Sequence, residues 1–283
     1  MVNLLGNKDN GLKKIKDALE DNLNIITSDS RLKTISDKIA ASRYTFKLIG
    51  ETGTLPISSG RASLLYKNWL YVAGSHDTGC GLVIVDVNTM QIVKQIFLSS
   101  VNPIQIIIRD DTYYYLTSIS GGLVIKGLLE TGEVLISKQL TIGGTRGMCM
   151  DNDYLYTIDI TGKIYKIDKA TITRQAVGTS VYKQPAHLLC QNGYIYITGL
   201  SNSPNLGDIV KVSTADINTV VTKASNNLES SRLLIDGNYL YTASITGVVK
   251  KWLLSDLSYV STVYSTNAGL NIATIKKLLE TFG

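Results

Sequence analysis

A dipeptide that ends in tyrosine recurs five times along this chain, and its spacing limits the possible folds more than any other feature. The five dipeptides are Leu70-Tyr71, Tyr114-Tyr115, Leu155-Tyr156, Ile195-Tyr196 and Leu240-Tyr241, so their tyrosines lie 44, 41, 40 and 45 residues apart. A period of about 40–45 residues is typical of the four-stranded blades of a β-propeller. The sequence therefore predicts an all-β fold, a five-bladed β-propeller.

The third repeat shows the four predicted strands most clearly. Short stretches rich in β-branched and aromatic residues alternate with turn-forming residues; the stretches are Gly147 to Asp151, Tyr154 to Asp159, Lys163 to Asp168 and Ile172 to Val177. We assign the propeller to residues 44–265. If Tyr44 to Ser59 supplies strands of its own, six blades are the alternative.

Short amphipathic helices are predicted on both sides of the propeller. Apolar residues recur at helical spacing over residues 10–22 and 29–42, and again after Asn271 near the end of the chain. These helices define an attachment segment, residues 1–43, and a C-terminal helix within residues 266–283. They could either pack on the propeller or dock the protein into a larger assembly, because helices this short bury little apolar surface alone.

Composition excludes several classes of protein. The net charge is +5, but lysine and arginine form no block of the kind that nucleic-acid binders carry. No apolar run is long enough for a membrane span or a signal peptide, so we expect a protein made in the cytosol without a signal peptide. Cys80, Cys149 and Cys190 are widely spaced and odd in number, which indicates reduced, packed thiols and neither a disulfide framework nor a metal site.

Little in the sequence indicates catalysis. The chain has two histidines, which excludes a histidine-rich metal site, and no glycine-rich loop with a lysine that would hold phosphate. Asp110, Asp151 and Asp236 share one position of the repeat, where a glycosidase could place its carboxylates. Each follows the first strand of its repeat, however, where aspartate ordinarily stabilises a turn. We predict no enzyme activity, no cofactor and no metal.

A ring of polar residues is predicted at one mouth of the propeller channel. Counting back 9 or 10 residues from each recurring tyrosine reaches Arg61, Gln105, Arg146, His187 and Arg232. The innermost strands of a propeller line its channel, so these side chains would meet there and attract carboxylates, phosphates or acidic sugars. The simpler alternative is that each arginine hydrogen-bonds carbonyl groups of the neighbouring blade.

Two loops on the same face are predicted to be enlarged, and enlarged loops on a rigid scaffold commonly carry recognition. One runs from Ser75 to Cys80 and contains His76 and Asp77. The other runs from Leu200 to Gly207, where Asn202, Asn205 and the adjoining Asp208 could hydrogen-bond sugar hydroxyls. These residues complete the candidate ligand-binding face.

Two resemblances suggest a setting. The stretches from Leu70 to Gly74 and from Gly81 to Thr89, followed by Asn102-Pro103, resemble the YVTN and LVIVD repeats of bacterial and archaeal propellers. Ser213 and Ser255 depart from that pattern, since the repeats place aspartate there. The opening segment, with Leu4 to Asn7 and Arg31 to Ile39, resembles tail and fibre proteins of phages of Gram-positive bacteria.

The phage resemblance implies a virion or tail-like particle component, synthesised in the bacterial cytoplasm and oligomeric within its assembly. It would attach to other tail or baseplate proteins through residues 1–43 and bind a bacterial surface glycan or protein. The alternatives are a free, lectin-like carbohydrate-binding propeller and a glycoside-active enzyme.

Overall fold

The computed structural model describes residues 59–76, 79–99, 104–119, 122–140, 142–181, 184–199, 207–225, 230–244 and 248–265. All of them belong to the second of the two units into which the chain divides, Leu55–Gly283. The predicted attachment segment 1–43, the stretch 44–58 that could supply a sixth blade and the predicted C-terminal helix lie outside the described residues.

Within these ranges the chain forms twenty β-strands, grouped as five antiparallel sheets of four, and no helix. Sheet 1 contains β1 (Ser59–Tyr66), β2 (Trp69–His76), β3 (Gly79–Asp86) and β4 (Gln91–Ser99). Sheet 2 contains β5 (Ile104–Arg109), β6 (Tyr113–Ser118), β7 (Leu123–Leu128) and β8 (Val134–Gln139). Sheet 3 contains β9 (Thr145–Met150), β10 (Tyr154–Asp159), β11 (Lys163–Asp168) and β12 (Thr173–Ser180).

Sheet 4 contains β13 (Pro185–Gln191), β14 (Tyr194–Gly199), β15 (Asp208–Ser213) and β16 (Val220–Ser225). Sheet 5 contains β17 (Ser230–Asp236), β18 (Tyr239–Ser244), β19 (Val248–Leu253) and β20 (Tyr259–Ser265). In every sheet the strands lie in chain order, so each repeat folds as a simple meander. The predicted all-β architecture of four-stranded, blade-like units is confirmed.

The burial of the strands follows from their place in each sheet. The second strands β6, β10, β14 and β18 have five consecutive buried residues. For β6, β10 and β14 the reason is that their sheets pack against a neighbouring sheet on each side. The outermost strands β8 and β16 instead alternate between exposed and partly buried residues, as strands with one solvent-facing side do. The continuous apolar runs of the sequence therefore mark the middle of each sheet.

The first strands of the five sheets, here called the innermost strands, follow one another in a propeller-like arrangement. β1 contacts β5, β5 contacts β9, β9 contacts β13, and β13 contacts β17. Residues of all five innermost strands line one cavity. As a result, residues from repeats that are far apart in sequence lie around the same cavity.

The recurring tyrosines pack between the sheets, as predicted. Tyr71, Tyr115, Tyr156, Tyr196 and Tyr241 are each 5% exposed or less. The hydroxyl groups of four of them, Tyr71, Tyr115, Tyr156 and Tyr196, have hydrogen-bond partners. That of Tyr196, for example, donates to the carbonyl oxygen of Leu254 in the next sheet at 3.3 Å. Burial raises the pKa of Tyr196 to about 12, so its hydroxyl stays protonated and remains a donor.

Repeated lysines also join neighbouring sheets, and the sequence analysis did not anticipate them. Lys126, Lys166 and Lys211 occupy equivalent places on the third strands, opposite the recurring tyrosines. Their Nζ atoms lie 4.0, 4.1 and 4.2 Å from the ring centres of Tyr113, Tyr154 and Tyr194. The same atoms donate to turn carbonyls of the following sheet, at Lys169 (3.0 Å), Thr214 (3.1 Å) and Leu254 (3.1 Å).

These contacts satisfy a charge that would otherwise be costly to bury. Burial lowers the pKa of Lys126 and of Lys211. In sheet 1 the equivalent position is Ile84, which pairs with Tyr71 and lies close to Gly132 in the turn of sheet 2. In all four sheets a long side chain at this position contacts the next sheet: the three lysines do so through hydrogen bonds, and Ile84 does so through an apolar contact.

Candidate functional site

The candidate site is a cavity of about 610 Å³ that is lined by the five innermost strands. Its size lies within the roughly 300–1,000 Å³ of small-molecule sites. The lining residues come from all five innermost strands: Ala62, Ser63, Gln105, Ile106, Ile107, Ile108, Arg146, Gly147, Met148, Ala186, His187 and Arg232. Four of the five residues predicted for the ring therefore lie around one cavity. For Arg61 the structure describes only the backbone, in β1.

A β-bulge at the same place in every innermost strand explains how these residues reach the cavity. The pairing with the second strand skips one residue in each sheet, and the skipped residues are Arg61, Gln105, Arg146, Ala186 and Ser231. A bulge redirects side chains that would otherwise alternate between two faces. As a result, consecutive residues such as Arg146 and Gly147 both line the cavity.

The position of the bulge shows that the ring residues, which were aligned by their distance from the recurring tyrosine, are not all structurally equivalent. Gln105 and Arg146 are bulge residues, whereas His187 and Arg232 occupy the following position and pair with Thr198 and Ala243. This difference is the reason why the spacing to the recurring tyrosine is 10 residues in some repeats and 9 in others. Both positions face the cavity, so the residues meet although they are not equivalent.

The two arginines of the lining have no partner among the residues that the structure describes. Among the described residues, neither Arg146 nor Arg232 hydrogen-bonds a carbonyl group or forms a salt bridge. Arg232 is exposed, and Arg146 is partly exposed. The described lining contains no acidic residue. For these two residues the simpler alternative, bonding to neighbouring carbonyls, is therefore not what the structure has, and the cavity presents free positive charge.

His187 contributes an uncharged side chain to the same cavity lining as Arg146 and Arg232. Burial, and next the charge of Arg232, lowers the pKa of His187 from 6.5 to about 4. The imidazole is therefore uncharged at neutral pH, with one nitrogen that accepts a hydrogen bond. Its Nδ1 atom is buried and has no partner within the described residues, and the same is true of Oε1 of Gln105.

The predicted recognition loops differ from the expectation. In the first, Ser75 pairs with Cys80 and His76 pairs with Gly79, so β2 and β3 continue almost to the turn. The prediction of an enlarged loop there was wrong, because strand pairing extends through residues that are individually compatible with a turn. His76 ends strand β2, and Asp77 lies outside the described residues.

In the second loop, Asn202 and Asn205 lie outside the described residues. Asp208 begins strand β15, and its Oδ2 lies 2.5 Å from Nζ of Lys223 on the adjacent strand β16. This carboxylate is held within its own sheet and does not line the cavity.

The prediction that all cysteines are reduced is also wrong. Cys149 and Cys190 form a disulfide, with Cα atoms 5.5 Å apart and a sequence separation of 41. The sequence separation is one repeat, and the two residues lie on the adjacent innermost strands β9 and β13. Cys80 is a free, buried thiol. The disulfide therefore joins the strands that carry Arg146 and His187.

Asp110 and Asp151, which were considered as catalytic carboxylates, instead accept hydrogen bonds from backbone amides of the turns that follow them. Oδ1 of Asp110 accepts from the amides of Thr112 and Tyr113 at 3.0 and 2.7 Å. Oδ1 of Asp151 accepts in the same way from Asp153 and Tyr154. For these two residues the turn interpretation is confirmed. Within the described ranges, no cluster of three or more metal-ligating side chains occurs, and no helix could cross a membrane.

Comparisons with known proteins support the fold and add nothing about function. The sequence matches no family model and no curated protein. The structure is similar to the computationally designed Ika8 protein (12% identity, TM-score 0.61, 75% of this chain and 64% of the other). It is also similar to hydrazine synthase of Kuenenia stuttgartiensis (12% identity, TM-score 0.56, 73% and 66%). The chain thus spans just under two thirds of either structure, and the likeness is one of fold.

Proposed function

We propose that this chain is a non-enzymatic binding protein that takes an anionic group of a bacterial surface molecule into its central cavity. The observation that carries the proposal is the pair Arg146 and Arg232, which lines the cavity without any partner in the described part of the protein. Unpaired guanidinium groups around a concave site attract carboxylates and phosphates and bind them through paired hydrogen bonds.

The proposal includes a complete ring of five blades of the YVTN and LVIVD type. Two features support it: residues from all five innermost strands share one cavity, and each innermost strand carries its bulge at the same place. Closure of the ring keeps the cavity rigid, and a rigid site binds its ligand with a smaller loss of conformational entropy.

Binding is favoured over glycoside cleavage by the positions of the carboxylates. Cleavage by paired carboxylates needs two acidic side chains that face the same sugar. Asp110 and Asp151 are engaged by backbone amides and by the hydroxyls of Tyr115 and Tyr156, at 3.0 and 2.7 Å. Neither residue lines the cavity.

The biological setting is the part of the proposal that rests on sequence alone. We propose that residues 1–43 attach the protein, in several copies, to other tail or baseplate proteins of a phage or tail-like particle. Immunogold electron microscopy of particles purified from the producing strain tests this setting. Label at the tail supports it, whereas protein found only free in the lysate favours the alternative of a free, lectin-like propeller.

Binding to immobilised polysaccharides tests the function of the cavity. We expect the full chain to bind polygalacturonate and not neutral dextran in biolayer interferometry. The double variant Arg146→Met/Arg232→Met should lose at least about tenfold in affinity for each arginine, because each contributes hydrogen bonds to a charged group.

A second double variant is the matched control for net charge. Arg109→Met/Arg174→Met removes two arginines that lie outside the cavity lining, and it should bind like the unmodified chain. Equal losses in both double variants would show that overall charge, and not the cavity, governs binding.

A further inference from the structure

We propose that the ligand of the central cavity is a hydroxyl-bearing carboxylate of the acidic-sugar class, and not a simple anion. This inference rests on the proposed function, since it names the class of ligand for the same site. The cavity offers three kinds of contact, and a uronic acid is a molecule whose parts match all three.

The first contact is charge. Arg146 and Arg232 lie on β9 and β17, two innermost strands with β13 between them, so their guanidinium groups approach the cavity from different strands. A carboxylate accepts hydrogen bonds from a guanidinium through two parallel N–H groups. Any anion would satisfy this requirement, so charge alone does not select a sugar acid.

The second contact is hydrogen-bond acceptance. Gln105 and His187 line the same cavity, and each has one buried polar atom without a partner, Oε1 and Nδ1 respectively. Buried polar atoms of this kind are unfavourable until a hydrogen-bond partner reaches them. The proposed pose requires each side chain to turn about its last rotatable bond towards the cavity, where Oε1 of Gln105 and the unprotonated nitrogen of His187 would each accept from a sugar hydroxyl. Phosphate at neutral pH has few protons to donate, so it leaves these acceptors less well satisfied.

The third contact is apolar. Ile106, Ile107 and Met148 contribute to the lining between the polar residues. Pyranose rings carry C–H faces as well as hydroxyls, and those faces lose water favourably against aliphatic side chains. Charge, acceptors and an apolar wall in one cavity distinguish this ligand class from both phosphate and a fatty acid.

Competition between three probes tests the inference. Methyl β-D-glucuronide is observed by saturation-transfer NMR with the full chain, and methyl β-D-glucoside and inorganic phosphate are added as competitors. We expect the glucuronide to bind, and each competitor to need at least about tenfold higher concentration to displace it, because the glucoside lacks the carboxylate and phosphate lacks the sugar hydroxyls and the apolar ring face. Binding of phosphate itself is followed by phosphorus line broadening.

Variants assign the effect to the acceptor side chains. Gln105→Leu should weaken glucuronide binding about tenfold and leave phosphate binding unchanged, whereas Arg146→Met should weaken both. Gln139→Leu makes the same change on the outermost strand β8, away from the cavity, and should alter neither. Circular dichroism and thermal unfolding of each variant report whether the fold is retained.

The outcomes separate the two proposals. If phosphate displaces the glucuronide at equal concentration, or if Gln105→Leu weakens both ligands alike, the ligand class is wrong and the anion-binding function stands. Both proposals are overturned if the glucoside displaces the glucuronide at equal concentration, which would show that the carboxylate adds no affinity. They are also overturned if neither glucuronide nor phosphate binds.

Discussion

The free energy of unfolding should decrease as the pH falls from about 6.5 towards 4, because His187 resists protonation in the folded chain. The pKa of this histidine is lowered to about 4 in the folded protein, against 6.5 as its ordinary value. Between these two values the unfolded chain takes up a proton that the folded chain does not, so falling pH favours unfolding. Above pH 6.5 both states are neutral at this residue, and the effect vanishes.

The size of the effect follows from the shift in pKa. One pKa unit corresponds to about 1.4 kcal/mol, so the loss approaches about 3 kcal/mol at pH 4. Burial lowers the pKa of His187, the positive charge of Arg232 acts in the same direction, and Arg146 is a second cation of the same cavity lining. The lowered pKa values of turn carboxylates such as Asp110 also reduce stability in acid, so the histidine must be isolated by comparison with a variant.

Urea unfolding at pH 7, 6, 5 and 4 measures the effect, with tryptophan fluorescence as the signal, since Trp252 is buried. The free energy of unfolding of His187→Gln, relative to the unmodified chain, should rise progressively by about 3 kcal/mol between pH 7 and 4. His76→Gln removes the other histidine and is the matched control. A difference between the unmodified chain and His187→Gln that stays constant over this range would refute the argument.

Two further predictions concern the packing of the sheets. Reduction of the Cys149–Cys190 bridge should lower the free energy of unfolding by about 4 kcal/mol, because it closes a segment of 41 residues. Urea midpoints with and without dithiothreitol test this; Cys80→Ala should respond like the unmodified chain, and unchanged midpoints would contradict the pairing. Gly127→Ala should destabilise by about 1–3 kcal/mol, because its new Cβ would overlap a fully buried tyrosine ring. Gly81→Ala, where the new Cβ meets only ordinary contact, is the control in thermal unfolding, and equal effects would argue against that packing.

The strands and turns of the repeats could be predicted well, because the signals for them are local. In the third repeat the predicted second and third strands, Tyr154–Asp159 and Lys163–Asp168, have the observed bounds. Their ends are set by turn residues such as Asp151, whose carboxylate binds the amides that follow it. The hairpin around Ser75 and Cys80 was misjudged because local composition there is compatible with both turn and strand.

Contacts between repeats were harder to predict, although some left a signal. Lys126, Lys166 and Lys211 recur with the same period as the tyrosines, so a search for repeated charges in apolar strands could have found them. The disulfide had no such signal, since Cys149 and Cys190 lie at different positions of their repeats and resemble ordinary core residues. Only the side-by-side placement of β9 and β13 brings them together.

The sequence by itself determined the number of repeats, the four strands in each and the tyrosines that pack between them, because alternation and turn chemistry act over a few residues. The tertiary structure decided which side chains line the cavity. A bulge depends on pairing with another strand, and the cavity depends on how the five innermost strands are placed relative to one another. Gln105, Arg146, His187 and Arg232 thus share one site although they belong to four different repeats, since distance along the chain does not encode their convergence.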